Sequence, residues 1–459
     1  MIKQSIIVLA FGLAVSASAQ NAPEAKPASD GAMPIDLATT LRLANANNTT
    51  VALARERMNE AVAQSRRANA MLLPTITLGA SVDHHEGRLQ SSTGALSDVN
   101  RSAGFVGLGA GAVAAGPVQQ PGVAITANLA DAIFEPLAAK QNKLAAEAGS
   151  AATTNRVSLE AAVAYFELVR AKAQLAIAVE ARKNAADLAR VTASFAESGQ
   201  GLESDASRAE VEKLVRDRNV EQAKEDLKIR SLALAELLRL DAGVDLDPTE
   251  DAAALIALAD EARGGGEMLL VALENRPEVR QNEALVKAAK QRLRQAKFDP
   301  LVPKVSVGFS AGGFGGGPGN SLGSENDRHD VSALVFWRLE NFGFGARAKA
   351  KEQQSRFQQA EIEQLRVLDR IASEVRGAKA RAESRKRQLA IAEKAVERAR
   401  TSFELNKSRI YENQGLPIEV LQAIESLAMT RKLYLDSAVE HNQAQYSLYT
   451  ALGQPARAE

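Results

Sequence analysis

The chain has 459 residues, and its 56 basic side chains balance 56 acidic ones, so it lacks the basic footprint that nucleic-acid binding requires. Zero cysteines exclude a disulfide framework, a thiolate metal site and an acceptor for N-terminal lipid. Aromatics are only 4% of residues against 46% hydrophobic in all, with abundant alanine, a bias that suits long, closely packed helices better than a thick globular core.

Lys3, an apolar run from Ile6 to Val15 and the small-x-small string Ala17-Ser18-Ala19 form the pattern of a secretory signal peptide over residues 1–19, with the mature chain starting at Gln20. That run falls well short of the roughly 20 residues that span a bilayer as a helix, and no later segment gives an uninterrupted apolar stretch of that length. Any membrane crossing must therefore use β-strands closed into a barrel. Residues 20–34, with Pro23, Pro27, Gly31 and Pro34, read as a flexible leader.

A first structural repeat is predicted over 35–240. It opens with a helix from Ile35 to Leu72, which stops at Pro74. Ile76, Leu78, Ala80 and Val82 then alternate with polar residues as a strand. A Gly- and Ser-rich stretch and a second alternating run, Val123, Ile125, Ala127 and Leu129, complete a β-hairpin over 74–134 with a long tip. A long helical hairpin over 136–240 follows: one helix from Pro136 to Glu197, a turn at Gly201-Leu202, and a second from Ser204 to Leu240. Residues 241–266, with Pro248 and Gly264-Gly265-Gly266, read as a linker holding one short helix.

The same order returns over 267–453: a helix from Glu267 to Lys297, a β-hairpin over 303–340 (Val305, Val307 and Phe309, then Val331, Ala333, Val335 and Trp337), and a long helical hairpin over 346–452. Ile371, Val375, Ala378, Ala382, Leu389, Ala392, Val396, Ala399 and Phe403 follow the 4-3 spacing of a coiled-coil seam. Residues 454–459 are a tail. The string QLAIA at Gln174 and Gln388, and the turns at Gly201 and Gly415, recur 214 residues apart, so the chain is an internal duplication. Four strands cannot close a barrel, for which about eight is the usual minimum, so either several chains share one barrel or the hairpins are soluble.

This order of helix, strand pair, long helix, turn and helix, given twice, resembles the TolC-like outer-membrane efflux protein family over essentially the whole mature chain. The strings carrying the resemblance are ALENRPEVRQNEALVKAAKQRLRQAKFDPLVPKVSV from Ala272, NFGFGARAKAKE from Asn341 and GLPIEVLQA from Gly415. The resemblance implies a mainly α fold with a membrane β-domain: a homotrimer whose chains each give four strands to one 12-stranded β-barrel above an α-barrel of coiled-coil helices. It further implies that the shorter helices stack end to end, Ile35 to Leu72 above the Ser204 helix. The implied location is the outer membrane and periplasm, in contact with outer-membrane lipid. The implied role is a passive exit duct for efflux or secretion, fed by an inner-membrane pump (RND or ABC type) through a periplasmic adaptor, with no cofactor and no catalytic centre.

The resemblance places Glu419, just after the second tip turn, at a periplasmic aperture, and Asp205 holds the equivalent place in the first turn. Gln422 departs from the family pattern by standing where a second acid is common. Both acids also suit the first turn of a helix on dipole grounds alone. Arg409 and Tyr411 precede the second turn and could tie neighbouring helices. Phe336, Trp337, Phe342 and Phe344 cluster as an aromatic girdle at a bilayer interface would. Asp83-His84-His85-Glu86 and Asp327-Arg328-His329-Asp330 are poor chelators, because adjacent strand residues face opposite ways, and read as polar barrel rim. Gly312 to Gly323 lacks a GKS or GKT ending and reads as a loop tip, not a phosphate loop. Two rival readings remain: a periplasmic adaptor, which carries one helical hairpin rather than two, and a structural coiled coil, which has no use for alternating strands.

Overall fold

The structure, a computed structural model, describes residues 32–111, 117–241, 243–259, 263–338, 340–412 and 414–455. The signal peptide over 1–19, most of the leader and the end of the tail lie outside the described residues. Met33 and Pro34, assigned above to the leader, instead begin β1 (Met33–Ile35). This strand pairs in parallel with β7 (Leu246–Pro248), so the linker is stitched to the start of the first repeat.

The predicted helix from Ile35 to Leu72 is two helices, α1 (Leu37–Asn47) and α2 (Thr49–Asn69), followed by a single 3-10 turn. Asp36 caps α1 by accepting the Thr39 N–H at 2.7 Å. Hydrogen bonds from the Thr39 side chain and then its backbone hold the Asp36 carboxyl below the usual carboxylate range. The break falls at Asn48, which leaves the helical region of φ/ψ and uses both ends of its amide. Its Oδ1 accepts the Thr50 N–H at 2.9 Å, and its Nδ2 donates to Leu237 O at 3.0 Å.

Continuous α3 (Leu129–Glu197) lies beside α2 in its upper part and beside α4 (Glu203–Leu238) below. Its 69 residues give about 100 Å of helix. It starts seven residues before Pro136, because Asn128 supplies the cap by accepting the Ala130 N–H at 3.0 Å, and the proline sits inside the helix rather than at its start. In the second repeat α5 (Gly265–Asn275) and α6 (Pro277–Phe298) precede the strands. Continuous α7 (Phe344–Tyr411) then packs on α6 above and α8 (Pro417–Ala451) below. Contacts of α3 with α6 and α8 join the two halves into one layer, with α2/α4 at one edge and α7 at the other. The predicted α7 seam is buried at every position except Val396, which is partly buried. Among the described residues the linker holds no helix between β7 and α5. It packs on α8 instead, with Asn442 bonding Ile256 N (3.0 Å) and Ala254 O (2.8 Å).

The strands form a single antiparallel meander. β2 (Thr75–Ile76) and β3 (Leu78–Gln90) rise together, and β4 (Leu96–Ala110) returns from a turn at residues 91–95. A short β5 (Gln120–Pro121) leads into β6 (Val123–Asn128), which completes the descent; β8 (Lys304–Pro318) rises and β9 (Asn326–Phe336) descends. The first hairpin therefore has a return strand, β4, in the stretch read above as a Gly- and Ser-rich tip. Likewise Gly312 to Gly317 belong to β8, not to a loop. Glycine hid both strands because Gly–Gly pairs such as Gly107↔Gly312 show no alternation of side chains, yet let the strands approach closely. A Cβ at Gly107 would sit 2.5 Å from Ala311 O.

β4 and β6 occupy successive stretches of one edge of β8, so the chain contributes four strand tracks, as the sequence reading required. Within the chain, β2/β3 and β9 each pair on one side only. One sheet face is bare and apolar: Ile76, Leu78, Val82, Val106, Ile125, Val307, Phe309, Val331 and Val335 are all exposed. Among the described residues no helix is long and apolar enough to cross a membrane.

The stacked-helix joints carry the same left-handed backbone turn on different residues at equivalent places 214 residues apart. Arg239 ends α4 with φ +56°, and Gly453 follows α8 with φ +82°. A Cβ on Gly453 would lie 2.7 Å from Arg276 N and from Asn275 C. Gly453→Ala is expected to destabilise by about 1–3 kcal/mol. Arg239→Gly is expected to stabilise by about 0.5–1 kcal/mol, left-handed strain being relieved and partly offset by glycine's entropy. Urea-unfolding midpoints of the detergent-solubilised variants check both; equal midpoints would refute the strain assignment.

Candidate functional site: the helical tips

The two tip turns are near copies of one another. After α3, Gln200 and Gly201 both donate to Phe195 O at 2.9 Å, and Gly199 takes φ +74°. After α7, Gln414 donates to Arg409 O at 2.9 Å. Leu202 and Leu416 then open the following helices with backbone angles that agree within a few degrees (φ −91°, ψ 139° and 137°), and both side chains are exposed. Gly201 and Gly415 are needed for close approach: a Cβ would come 2.9 Å from Phe195 Cβ in the first turn and 3.1 Å from Arg409 Cβ in the second.

Glu419 is not an isolated acid. Its Oε2 accepts the Leu416 N–H at 3.4 Å, as the N3 acid of a capping box does, and lies 3.3 Å from Arg409 Nη1. Arg409 also donates to Gln414 O at 3.3 Å, so within the chain it ties the end of α7 to the tip turn and to the start of α8. Asp205 occupies the equivalent position but pairs along its helix with Arg208 at 3.8 Å. The difference follows from sequence, since Phe195 stands where the second tip has Arg409. Both ion pairs are solvent-facing, and such pairs contribute about 0–1 kcal/mol each. Their importance lies in placing charge at the far end of the molecule.

Tyr411 is half exposed and forms one wall of a small crevice between α3 and α7 with Asn184, Asp187, Lys407 and Val420. Below it the two hairpins are locked by a core of Leu188, Phe403, Ile410, Val420, Ile424 and Leu427. Above the tips, a cavity of about 430 Å³ opens between α3, α4 and α8, lined by Gln174, Arg216, Asn219, Asp226, Glu425 and Lys432. Sequence reasoning passed over these residues because charged side chains at helical spacing read as solvated faces; that they converge depends on how three helices meet.

At the other end of the molecule, Trp337, Phe342 and Phe344 are exposed, as a girdle requires. Phe336 does not join them: it pairs with Lys304, and alternation puts it on the opposite sheet face from Trp337. Asn341, Phe342 and Gly343 all take positive φ, which swings the chain from the sheet into α7 and throws Phe342 outward. His84 bonds Ser102 Oγ at 2.9 Å, and among the described residues no group of three or more His, Asp or Glu side chains gathers as a metal site.

Residues 269–454 match the family model described as outer membrane efflux protein. No curated protein matches the sequence. Solved structures do match in fold. The CmeC outer membrane channel of Campylobacter jejuni is 16% identical, with a TM-score of 0.76 over 91% of this chain and 85% of its own. The outer membrane protein VceC of Vibrio cholerae is 18% identical, with a TM-score of 0.73 over 91% and 96%. The open state of the MtrE outer membrane channel of Neisseria gonorrhoeae is 18% identical, with a TM-score of 0.73 over 91% and 89%. Residues 269–454 are thus similar in sequence to the outer membrane efflux proteins, and over most of its length the chain has the TolC-like fold of the matched channels.

Proposed function

We propose that this chain is one subunit of a passive exit duct that crosses the outer membrane and extends through the periplasm. The observation carrying this reading is the sheet: four antiparallel tracks with two open edges and one bare apolar face, joined to helices about 100 Å long. In water an apolar face of this size would need a cover. In lipid it is already satisfied, but open strand edges are not, because no water is there to bond their N–H and C=O groups. Three copies joined edge to edge give 12 strands, satisfy every edge and leave no seam. β9, with 11 residues, has the length of a tilted membrane strand.

The helical layer supports the same assembly. Its edges carry exposed apolar residues, Val211, Leu214 and Ile229 on α4 and Ile362, Leu365, Ile391 and Leu405 on α7, and one edge would meet the other of the next copy around a threefold axis. The tips, with Leu202, Leu416, Glu419 and Arg409, would then surround the periplasmic mouth. There the partners would be a periplasmic adaptor and, through it, an inner-membrane pump (RND or ABC type). The adaptor reading of the chain itself is disfavoured, because an adaptor has no use for a bare four-track sheet.

Assembly is tested by extraction. Protein solubilised from outer membranes is expected to be a trimer, with Thr93→Cys and Asn320→Cys, in the two strand turns, labelled by an impermeant thiol reagent in intact cells. A monodisperse monomer with full β-signal, or labelling only after membrane rupture, would refute the barrel.

The mouth is tested by charge. Glu419→Gln leaves Arg409 without its carboxylate, so it should lower the ratio of cation to anion permeability and weaken block by divalent ions in planar bilayers. Arg409→Gln should move both the other way. Folding should change by only about 0.3–1 kcal/mol in each case. Unchanged selectivity in both variants would remove this pair from the aperture and leave Asp205 as the next candidate.

A further inference from the structure

We propose that the foot of the β-domain lumen is a binding station for amphiphilic organic anions, formed by Lys304 and Arg338 beside Leu334 and Phe336. The proposal rests on the channel reading above and adds to it a class of solute. Its starting point is the sheet face that lipid would not touch. Val307, Val331 and Val335 are exposed on the apolar face, so alternation puts Lys304 and Ser306 of β8, and Leu334 and Phe336 of β9, on the other. In a barrel whose apolar face meets lipid, that other face lines the lumen.

Lys304 stands directly across from Phe336 in the β8–β9 register. Arg338, two residues past the end of β9, lies over the same ring, its Cζ 5.7 Å from the centre, which places it on the same face. Phe336 thus has one cation across the strand and another above its ring. Leu334 is the apolar outlier of this face: 57% exposed, it stands opposite Ser306, whose hydroxyl meets that of Thr126 at 3.1 Å. The charge is not cancelled locally. Among the described residues of β6, β8 and β9, the one acid on this face is Asp330, which holds Arg328 at 2.9 Å. Just below the sheet, Asp299 accepts from Asn128 at 2.5 Å and pairs with Lys349 at 3.7 Å. Strands β2/β3 of a next copy, set beside β9, would add Thr75, Gly79 and Ser81 to this face before their first charge, Asp83.

Lys304 opens β8 and Arg338 follows β9, so both lie where the helices join the sheet. In a threefold assembly they form a ring of six cations at the passage from the helical tunnel into the strand lumen. Rings of Lys and Arg make a pore favour anions, and low-dielectric walls raise the local concentration of the attracted ion. Charge alone would serve any anion. Exposed apolar surface beside it favours an anion with an aromatic or alkyl body, because only such a solute also removes that surface from water.

The test uses three probes on single channels in planar bilayers at low ionic strength, added on the side of the strand turns: naphthoate, acetate and naphthylmethanol. Acetate has the charge without the apolar body, and naphthylmethanol the body without the charge. Each variant is first shown to extract in the parent's oligomeric state. Naphthoate is expected to interrupt the current at concentrations where the other two do not. Lys304→Gln combined with Arg338→Gln should raise the naphthoate concentration needed by about tenfold or more. Lys304→Arg should keep the block, and Leu334→Ser should weaken it with the charge intact. Naphthoate that blocks no better than acetate or naphthylmethanol would overturn the station and leave the channel standing. Block that survives unchanged in the double variant would overturn the assignment of Lys304 and Arg338, and block untouched by Leu334→Ser would overturn the apolar half of the site. A protein that extracts as a monomer and opens no channel would overturn the channel reading, and the station with it.

Discussion

A backbone N–H or C=O at a strand edge must find a partner, and in hydrocarbon there is no water to supply one. This demand, set by β2/β3 at one side of the sheet and β9 at the other, shapes the rest of the molecule. It makes the isolated chain incomplete as a membrane structure, and it makes a closed ring of copies the economical completion, since closure alone abolishes both edges. Helices hung from such a ring inherit its symmetry. The layer with α2/α4 at one edge and α7 at the other is consistent with this, since both edge helices, α4 and α7, carry bare apolar residues.

The duplication solves a second problem, which is how to line a tube with helices of matched length. Each repeat has one unbroken helix, of 69 residues in α3 and 68 in α7, and a track beside it made of two shorter helices placed end to end. The joint between short helices leaves free carbonyls and N–H groups. In the first repeat one amide, that of Asn48, caps α2 and bonds the last turn of α4. In the second, Arg276 takes the equivalent place. It has Pro277 after it and salt bridges to Glu278 at 3.0 Å and to Glu374 of α7, while Gly453 supplies the left-handed turn without a Cβ. The same geometric demand is thus met by an amide in one half and by an ion pair and a glycine in the other. This explains how the halves can keep a common fold while the residues at their joints diverge.

What could be read from sequence was what periodicity controls. The 4-3 spacing from Ile371 to Phe403 specified a buried seam, and the constant separation of QLAIA and the Gly-Leu turns specified two repeats with helical hairpins of equal length. Strand tracks were legible where valine, isoleucine and phenylalanine alternate. They were illegible where glycine replaces them, so β4 and the upper half of β8 were read as tips. Helix ends were hidden where a single side chain does two jobs, as Asn48 does, because its second partner, Leu237, is far away in sequence. At the tips, sequence reading picked out Glu419, Arg409, Gly201 and Gly415 individually. It could not join Arg409 to Glu419, because that pairing depends on a turn that brings residues on two helices within 3.3 Å.

The paired tip has a consequence for how charge acts at the mouth. A ring of lone carboxylates would repel itself and resist closure unless it bound protons or cations. If three copies gather their tips around one axis as proposed, Arg409 beside each Glu419 makes each tip a nearly neutral dipole instead, and like-charge repulsion between copies falls. Close approach of the tips then costs little electrostatically, so the closed mouth can be held by the packing of Phe403, Ile410 and Val420 behind it. Opening by a few ångströms would separate the dipoles without stranding a charge in a dry site, because both members of the pair already face solvent. The balance between closed and open tips is therefore set by contacts along the coiled coils and at the exposed Leu202 and Leu416, which are surfaces that another protein can reach.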